Sequence, residues 1–213
     1  MSGGVLVLGG GGHAKVVVAT LQAAGFEVAA VLDDDARRHG LALLGVPVAG
    51  PLSALAGRPE RRAVLAIGDN RTRRRLAGEL EMAVEGLAWV SAAHPAAVVH
   101  ESVRLGPGCV VFAGAVIQPD CEIGAHAVVN TGASVDHDST LGEFTHVAPG
   151  ARLAGGVTLG DGAFVGLGAV VLPGVAVGAW ATVGAGAAVT GDVADGVTAV
   201  GVPARVRAEE DAP

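Results

Sequence analysis

From Val99 onward every sixth residue is aliphatic: Val99, Leu105, Val111, Ile117, Ile123, Val129, and so on without a break to Val189. Four places after each of these the side chain is mostly small, as at Ala115, Ala127, Ala133, Ser139, Thr145 and Ala151. Glycine often follows the aliphatic residue directly, as at Gly106, Gly124, Gly142 and Gly160. A sustained six-residue period predicts a parallel β-helix of hexapeptides, each giving one short strand and one turn, with three units to a coil. Sixteen units make about five coils. The aliphatic side chain is expected to point into the prism with the small residue beside it, and the glycine to relieve the turn. His137, two places past the inward Val135, then belongs to a turn at the edge of the prism.

Residues 1–92 follow other periods. Val5–Leu8 is a short apolar strand, four glycines follow, and residues 13–24 have helical spacing. Residues 27–32 form a second strand ending in Asp33-Asp34-Asp35; residues 63–67 form a third, closed by Gly68-Asp69-Asn70; residues 71–82 are a helix. Strand and helix alternate, which predicts a small parallel α/β sheet of Rossmann-like type. The expected domains are 1–92 for this lobe, 93–207 for the β-helix and 208–213 for a C-terminal tail, with Pro95 at the joint.

Composition narrows the functions. Hydrophobic residues make up 51% of the 213, aromatics only 3%, so the core must be layered from small aliphatic side chains. The formal charge is −7 with no dense basic block, which argues against nucleic acid as partner. Cys109 and Cys121 fall on small inward positions and are expected to be reduced packing atoms. The N-terminus has a short apolar run with no cationic leader, so no signal peptide is expected, and no apolar run is long enough for a membrane helix. The expected location is the cytoplasm.

Two stretches carry candidate chemistry. Gly9-Gly10-Gly11-Gly12-His13-Ala14 lies between a strand and a helix, where a phosphate can approach backbone N–H groups at the helix N-terminus. The pattern also fits a looser dinucleotide fingerprint, so an NAD-binding module is an alternative, although about 90 residues suit one nucleotide diphosphate better than a two-lobed fold. Asp33 and Asp34 stand at a strand's C-terminal end, where ligands bind in such sheets. Arg71, Arg73, Arg74 and Arg75 read as an exposed helical face. In the second stretch, Asp136-His137-Asp138, a histidine stands between two carboxylates: a base with pKa near working pH and a charge to stabilise its protonated form. His146 is a ligand contact or an exposed strand residue; His126, His100, His94 and His39 read as surface or linker residues. A zinc site of the γ-class carbonic anhydrase kind expects two histidines four residues apart, and His137 and His146 have eight between them. No metal is expected. A non-catalytic scaffold leaves the glycines and the His-Asp pair without a purpose.

The ordered set VLVLGGGGHAKVV, VLDDD, AIGDN, VDHD, the hexapeptides and VGVPARV resembles bacterial sugar O-/N-acyltransferases of the sialic-acid O-acetyltransferase type, nearest the nucleotide-aminosugar N-acetyltransferases of the PglD and PerB kind. The resemblance runs from Val5 to about Val206. It implies a homotrimer of left-handed β-helices with acetyl-CoA as co-substrate in a cleft between neighbours, and a nucleotide-linked amino sugar as acceptor. It implies nucleotide contacts at Gly11, Gly12, His13, Asp33, Asp34 and Gly68. His137 matches the family's base and Asp138 its carboxylate partner. Acetyl-CoA contacts are implied at His146 and Leu167, an oxyanion donor near Gly155, and a further CoA contact where Ala185 stands in place of a glycine. Acetylation of a sugar hydroxyl instead of an amine is the nearest alternative.

Overall fold

A computed structural model describes residues 3–207; the expected tail, 208–213, lies outside the described residues. The chain divides into two compact units between Pro95 and Ala96.

The first unit is built on a parallel four-stranded sheet. Strand β1 (Val5–Leu8) leads to helix α1 (Gly12–Ala23) and strand β2 (Val28–Leu32). After a small hairpin, β3 (Ala42–Leu43) and β4 (Val46–Pro47), come β5 (Arg62–Leu65), helix α2 (Asn70–Ala83) and β6 (Ala88–Trp89). The sheet order is β2-β1-β5-β6, so the connections diverge on either side of β1, and the crevice at its C-terminal end is the usual ligand position. All four residues of β1 are 0% exposed, as expected for a central parallel strand covered on both faces. Helix α1 buries Ala14, Val17, Val18 and Leu21, a stripe at i, i+3, i+4 and i+7.

The second unit is the left-handed parallel β-helix. From Val98 to Val189 its strands are two residues long and pair in parallel at a spacing of eighteen residues: Val110↔Val128, Val116↔Ser134, Glu122↔Thr140. Three hexapeptides per coil give three such stacks. The aliphatic positions from Val111 to Val189 are at most 3% exposed, and Ala115, Ala133, Ala151 and Ala169 beside them are at 0%. Cys109 and Cys121 are free thiols inside the prism. The last coil ends in Thr198–Val200, which is covered by the antiparallel strand Arg205–Val206.

The glycine directly after the aliphatic residue does not relieve the turn. The left-handed position comes two residues later still: Gly132 (φ 64°), Gly150 (φ 67°) and Gly168 (φ 63°) occupy it, and so does Asp138 (φ 58°). Gly124 is required for another reason, since a Cβ there would stand 2.6 Å from the backbone nitrogen of Glu143 in the next coil.

Candidate active site

In the N-terminal lobe, the segments after β1, β2 and β5 all end at the same edge of the sheet. Gly9 has φ 107°, and a Cβ on it would meet Ile67 Cδ1 at 2.6 Å. Gly10 donates its N–H to Asp33 Oδ2. Gly11 is the N-cap of α1 with no side-chain capping bond, and the first turn carries no acidic residue. A Cβ on Gly11, Gly12 or Gly68 would meet nothing within 4 Å. This helix N-terminus, with its positive dipole end and the open space in front of Gly11 and Gly12, therefore suits an anion.

The acidic trio is tied to the backbone around it. Asp33 also accepts from the Asp35 N–H at 2.8 Å, and Asp34 Oδ1 accepts from the Leu52 N–H at 2.9 Å. His39, expected at the surface, meets the Asp33 carbonyl through Nε2 at 2.7 Å. Arg37 holds the half-buried Asp35 carboxyl down to about 2.

Arg73 departs from the expected exposed face of α2. It is 1% exposed, and its guanidinium donates to the carbonyls of Ile67 (2.9 Å) and Gly68 (3.3 Å) and to Asn70 Oδ1 (3.0 Å). It thus braces the turn after β5. Burial, and then the Arg73 charge, lower the His13 pKa from 6.5 to about 4, so His13 is neutral at pH 7.

On the β-helix, His137 Nδ1 lies 2.6 Å from Asp138 Oδ2. The ionised carboxylate can only accept, which assigns the hydrogen to Nδ1 and the lone pair to Nε2. Asp136 makes a different contact: its Oδ1 accepts from the His137 backbone N–H at 2.9 Å. The choice between the two aspartates, open from spacing alone, falls to Asp138 for the ring. The left-handed backbone of Asp138, tolerated by aspartate better than by most residues, belongs to the turn that carries this pair. The hydrogen bond that His137 donates to Asp138, assisted by the charges of Asp136 and Asp138, raises the His137 pKa.

The His137 ring rests on Gly155, one coil further along. A Cβ at 155 would stand 2.7 Å from both Cε1 and Nε2. Among the described residues the Gly155 N–H donates to no group, while its carbonyl accepts from Gly174. An imidazole and a backbone N–H that has no partner among the described residues therefore lie side by side.

His146 is only 7% exposed, which removes the exposed-strand reading. Its Nε2 meets Asn130 Nδ2 at 3.0 Å, and its ring stands edge-on to Phe164 at 5.3 Å. Leu167 is 58% exposed and Ala185 is exposed. His126, expected at the surface, is only 3% exposed and stacks on Phe144 at 4.9 Å. Among the described residues no three His, Cys, Asp or Glu side chains form a group suited to a metal ion, and no helix is long and apolar enough to cross a membrane.

Comparison with known proteins places this geometry. Residues 4–80 match the PglD N-terminal domain, and residues 156–191 match the hexapeptide repeat of succinyl-transferase. PerB from Caulobacter crescentus, solved in complex with CoA and GDP-perosamine, is 48% identical, covering 98% of this chain and 99% of that one with TM-score 0.91. The chain belongs to the PglD/PerB-like sugar acyltransferases. Two further members of similar structure are the acetyltransferase domain of PglB from Neisseria gonorrhoeae (35% identity, 95% and 98% coverage, TM-score 0.89) and WeeI from Acinetobacter baumannii (28%, 96% and 99%, 0.87). No curated protein sequence matches the chain. Near the candidate sites, Asn130 carries no signal in the sequence, whereas Arg73 is buried where an exposed position is expected. Arg73 had a signal, since it shares a helical stripe with the buried Ala77 and Leu80.

Proposed function

We propose that the protein transfers the acetyl group of acetyl-CoA to the amino group of a nucleotide-linked amino sugar. The observation that carries this reading is the His137–Asp138 pair lying over the Gly155 backbone, in a chain that aligns end to end with PerB, a protein solved with CoA and GDP-perosamine.

A thioester is reactive enough to be attacked directly, but the attacking amine must lose a proton. His137 Nε2 takes that proton as the N–C bond forms, and Asp138 orients the ring and stabilises the imidazolium. Asp136 fixes the backbone of the same turn. The Gly155 N–H receives the oxyanion of the tetrahedral intermediate. Collapse breaks the C–S bond, and the proton held by His137 passes to the departing CoA sulfur.

The nucleotide is assigned to Gly11, Gly12, His13, Asp33, Asp34 and Gly68. The open N-terminus of α1 takes the diphosphate; Asp33 and Asp34, already engaged by backbone N–H groups, shape the pocket and accept further bonds through remaining lone pairs. Acetyl-CoA is assigned to His146, Leu167 and Ala185. Since Leu167 and Ala185 lie on the exposed side of the prism, a second subunit is the natural other wall of that cleft, and a homotrimer is the proposed assembly. The proposed compartment is the cytoplasm, which keeps Cys109 and Cys121 reduced.

The test is incubation with acetyl-CoA and a panel of nucleotide-linked amino sugars that includes GDP-perosamine, with CoA release and product mass followed together. N-acetylated nucleotide sugar is the expected product. Transfer confined to hydroxyl groups, or none across the panel, refutes the reading.

A further inference from the structure

Most turns of the prism are closed by their own backbone, the fourth residue's N–H donating to the first residue's carbonyl. Ala133 to Asn130 (3.0 Å), Ala151 to Ala148 (3.1 Å) and Ala169 to Gly166 (3.1 Å) are examples. The turn from Ala154 to Val157, which contains Gly155, has no such bond. There the Val157 N–H donates to Ser139 Oγ at 3.2 Å, and Ser139 Oγ–H donates to the Ala154 carbonyl at 3.3 Å. A hydroxyl from the preceding coil is inserted into the bond that would otherwise close the turn.

Ser139 is 0% exposed and occupies a position that alanine fills at Ala133, Ala151, Ala163 and Ala169. Burying a hydroxyl in an aliphatic prism is unfavourable unless its bonds are made, and both of its bonds go to this one turn. The carbonyl it grips belongs to the peptide unit whose other end is the Gly155 N–H. A peptide is planar, so fixing its carbonyl fixes the direction of its N–H. A donor on the carbonyl also polarises the N–H at the far end.

The turn carrying His137 is built the same way. Its own closing bond is absent, and Cys121 Sγ–H donates to the Asp136 carbonyl at 3.1 Å. Burial raises the Cys121 pKa, which keeps the thiol protonated and able to donate. At Cys109, away from these residues, the thiol reaches the Gly124 carbonyl at 3.0 Å but the turn keeps its own bond from Ala127. A side-chain bridge thus stands in both turns that present His137 and Gly155; elsewhere a side-chain hydroxyl also reaches the first carbonyl of the Gly142–Thr145 turn, from Thr145 itself at 3.0 Å.

We propose that Ser139 is a positioning residue for acyl transfer: its hydroxyl holds the Ala154–Gly155 peptide so that the Gly155 N–H is directed at the oxyanion. This rests on the acetyltransferase reading given above. The test is Ser139→Ala with Ser139→Cys as the conservative variant, both measured on the full chain. Alanine is the ordinary residue at this position, so the fold should survive and the turn should close with its own Val157-to-Ala154 bond. The kcat of Ser139→Ala should fall about 10- to 100-fold, less than the full loss of an oxyanion donor, with KM for acetyl-CoA within about twofold. The acid limb of its pH profile should stay in place, because His137 is untouched. Ser139→Cys, which can still bridge as Cys121 does, should recover most of the rate. Unchanged kcat in Ser139→Ala overturns the proposal, and so does a loss in both variants that follows their melting temperatures. A crystal structure of Ser139→Ala gives a readout independent of turnover. If the Ala154–Val157 turn keeps its open form, the proposal fails even in an active enzyme. If the wild-type protein acetylates no amino sugar, the functional reading fails separately, and the turn geometry still decides whether Ser139 sets the Gly155 peptide.

Discussion

The His137 ring and the Gly155 backbone are in van der Waals contact across one coil, and the contact leaves no room for a side chain at 155. A methyl there would overlap Cε1 and Nε2, so the ring must swing away from Asp138 or the coil must shift. Gly155→Ala keeps the N–H but displaces the base. We expect kcat to fall by about two decades or more, as for a misplaced catalytic group, while acetyl-CoA binding measured by calorimetry is retained. Unaltered turnover would show that the contact has no catalytic meaning.

Removing the base itself should cost more. His137→Ala is expected to lower kcat by about 10²–10⁴, with little change in KM for acetyl-CoA. The base works as the neutral ring, and its pKa is raised, so the acid limb of kcat/KM should lie above the ordinary histidine value of about 6.5. Asp138→Asn removes the charge that raises it, so that limb should move to lower pH while the plateau rate drops. A pH–rate profile of the three proteins checks the sign. For stability, a folded pKa above the unfolded one helps fully below the unfolded value, and that help is lost as pH rises through the folded one. Both side chains are exposed, so this contribution is small.

Gly11 separates access from folding. Its φ is −76°, which any residue can adopt, and a Cβ there meets nothing. Gly11→Val should therefore leave the melting temperature nearly unchanged. Its branched side chain would still block a diphosphate from the α1 N-terminus, so nucleotide-sugar binding should weaken at least tenfold with acetyl-CoA binding intact. Tight NADH binding that nucleotide sugars fail to displace would favour a dinucleotide site instead.

His13 offers a spectroscopic test. Its folded pKa, about 4, lies below the unfolded value of 6.5. Stability should thus be full above pH 6.5 and decline between 6.5 and 4 as the unfolded chain takes up the proton first. In an NMR titration the His13 ring should stay neutral down to about pH 4 in the free protein. A bound nucleotide diphosphate supplies negative charge and should raise that value. No movement on saturation would place the diphosphate elsewhere.

Arg73 is expected to matter for the whole lobe. Arg73→Met removes one buried and two part-buried bonds, for a loss of about 2–4 kcal/mol in urea unfolding. A loss below about 1 kcal/mol would mean that water takes over its role.

The prism was legible because its period is strict: each inward aliphatic position has the same neighbours, so one rule places sixteen strands. The parallel sheet was legible for a similar reason, since Val5–Leu8 is apolar throughout. What the pattern could not show were contacts made eighteen residues apart. His126 reads as polar in its own hexapeptide, and only the next coil brings Phe144 against it. Asp136 and Asp138 are symmetric about His137 in sequence; the left-handed turn at 138 breaks that symmetry. Arg73 was hidden by its arginine neighbours, because composition was weighed where helical phase decided. The hairpin of β3 and β4 is too short for any period to register.

The strand Arg205–Val206 lies antiparallel along Thr198–Val200, where every earlier neighbour is parallel. A stack of identical rungs is a template that another chain could extend, as fibrils do. Arg205–Val206 takes up backbone donors and acceptors along that last rung, and its two residues leave a short edge in place of the longer one. A chain ending before Ala204 would leave the Thr198–Val200 rung uncovered, the kind of edge on which end-to-end association begins.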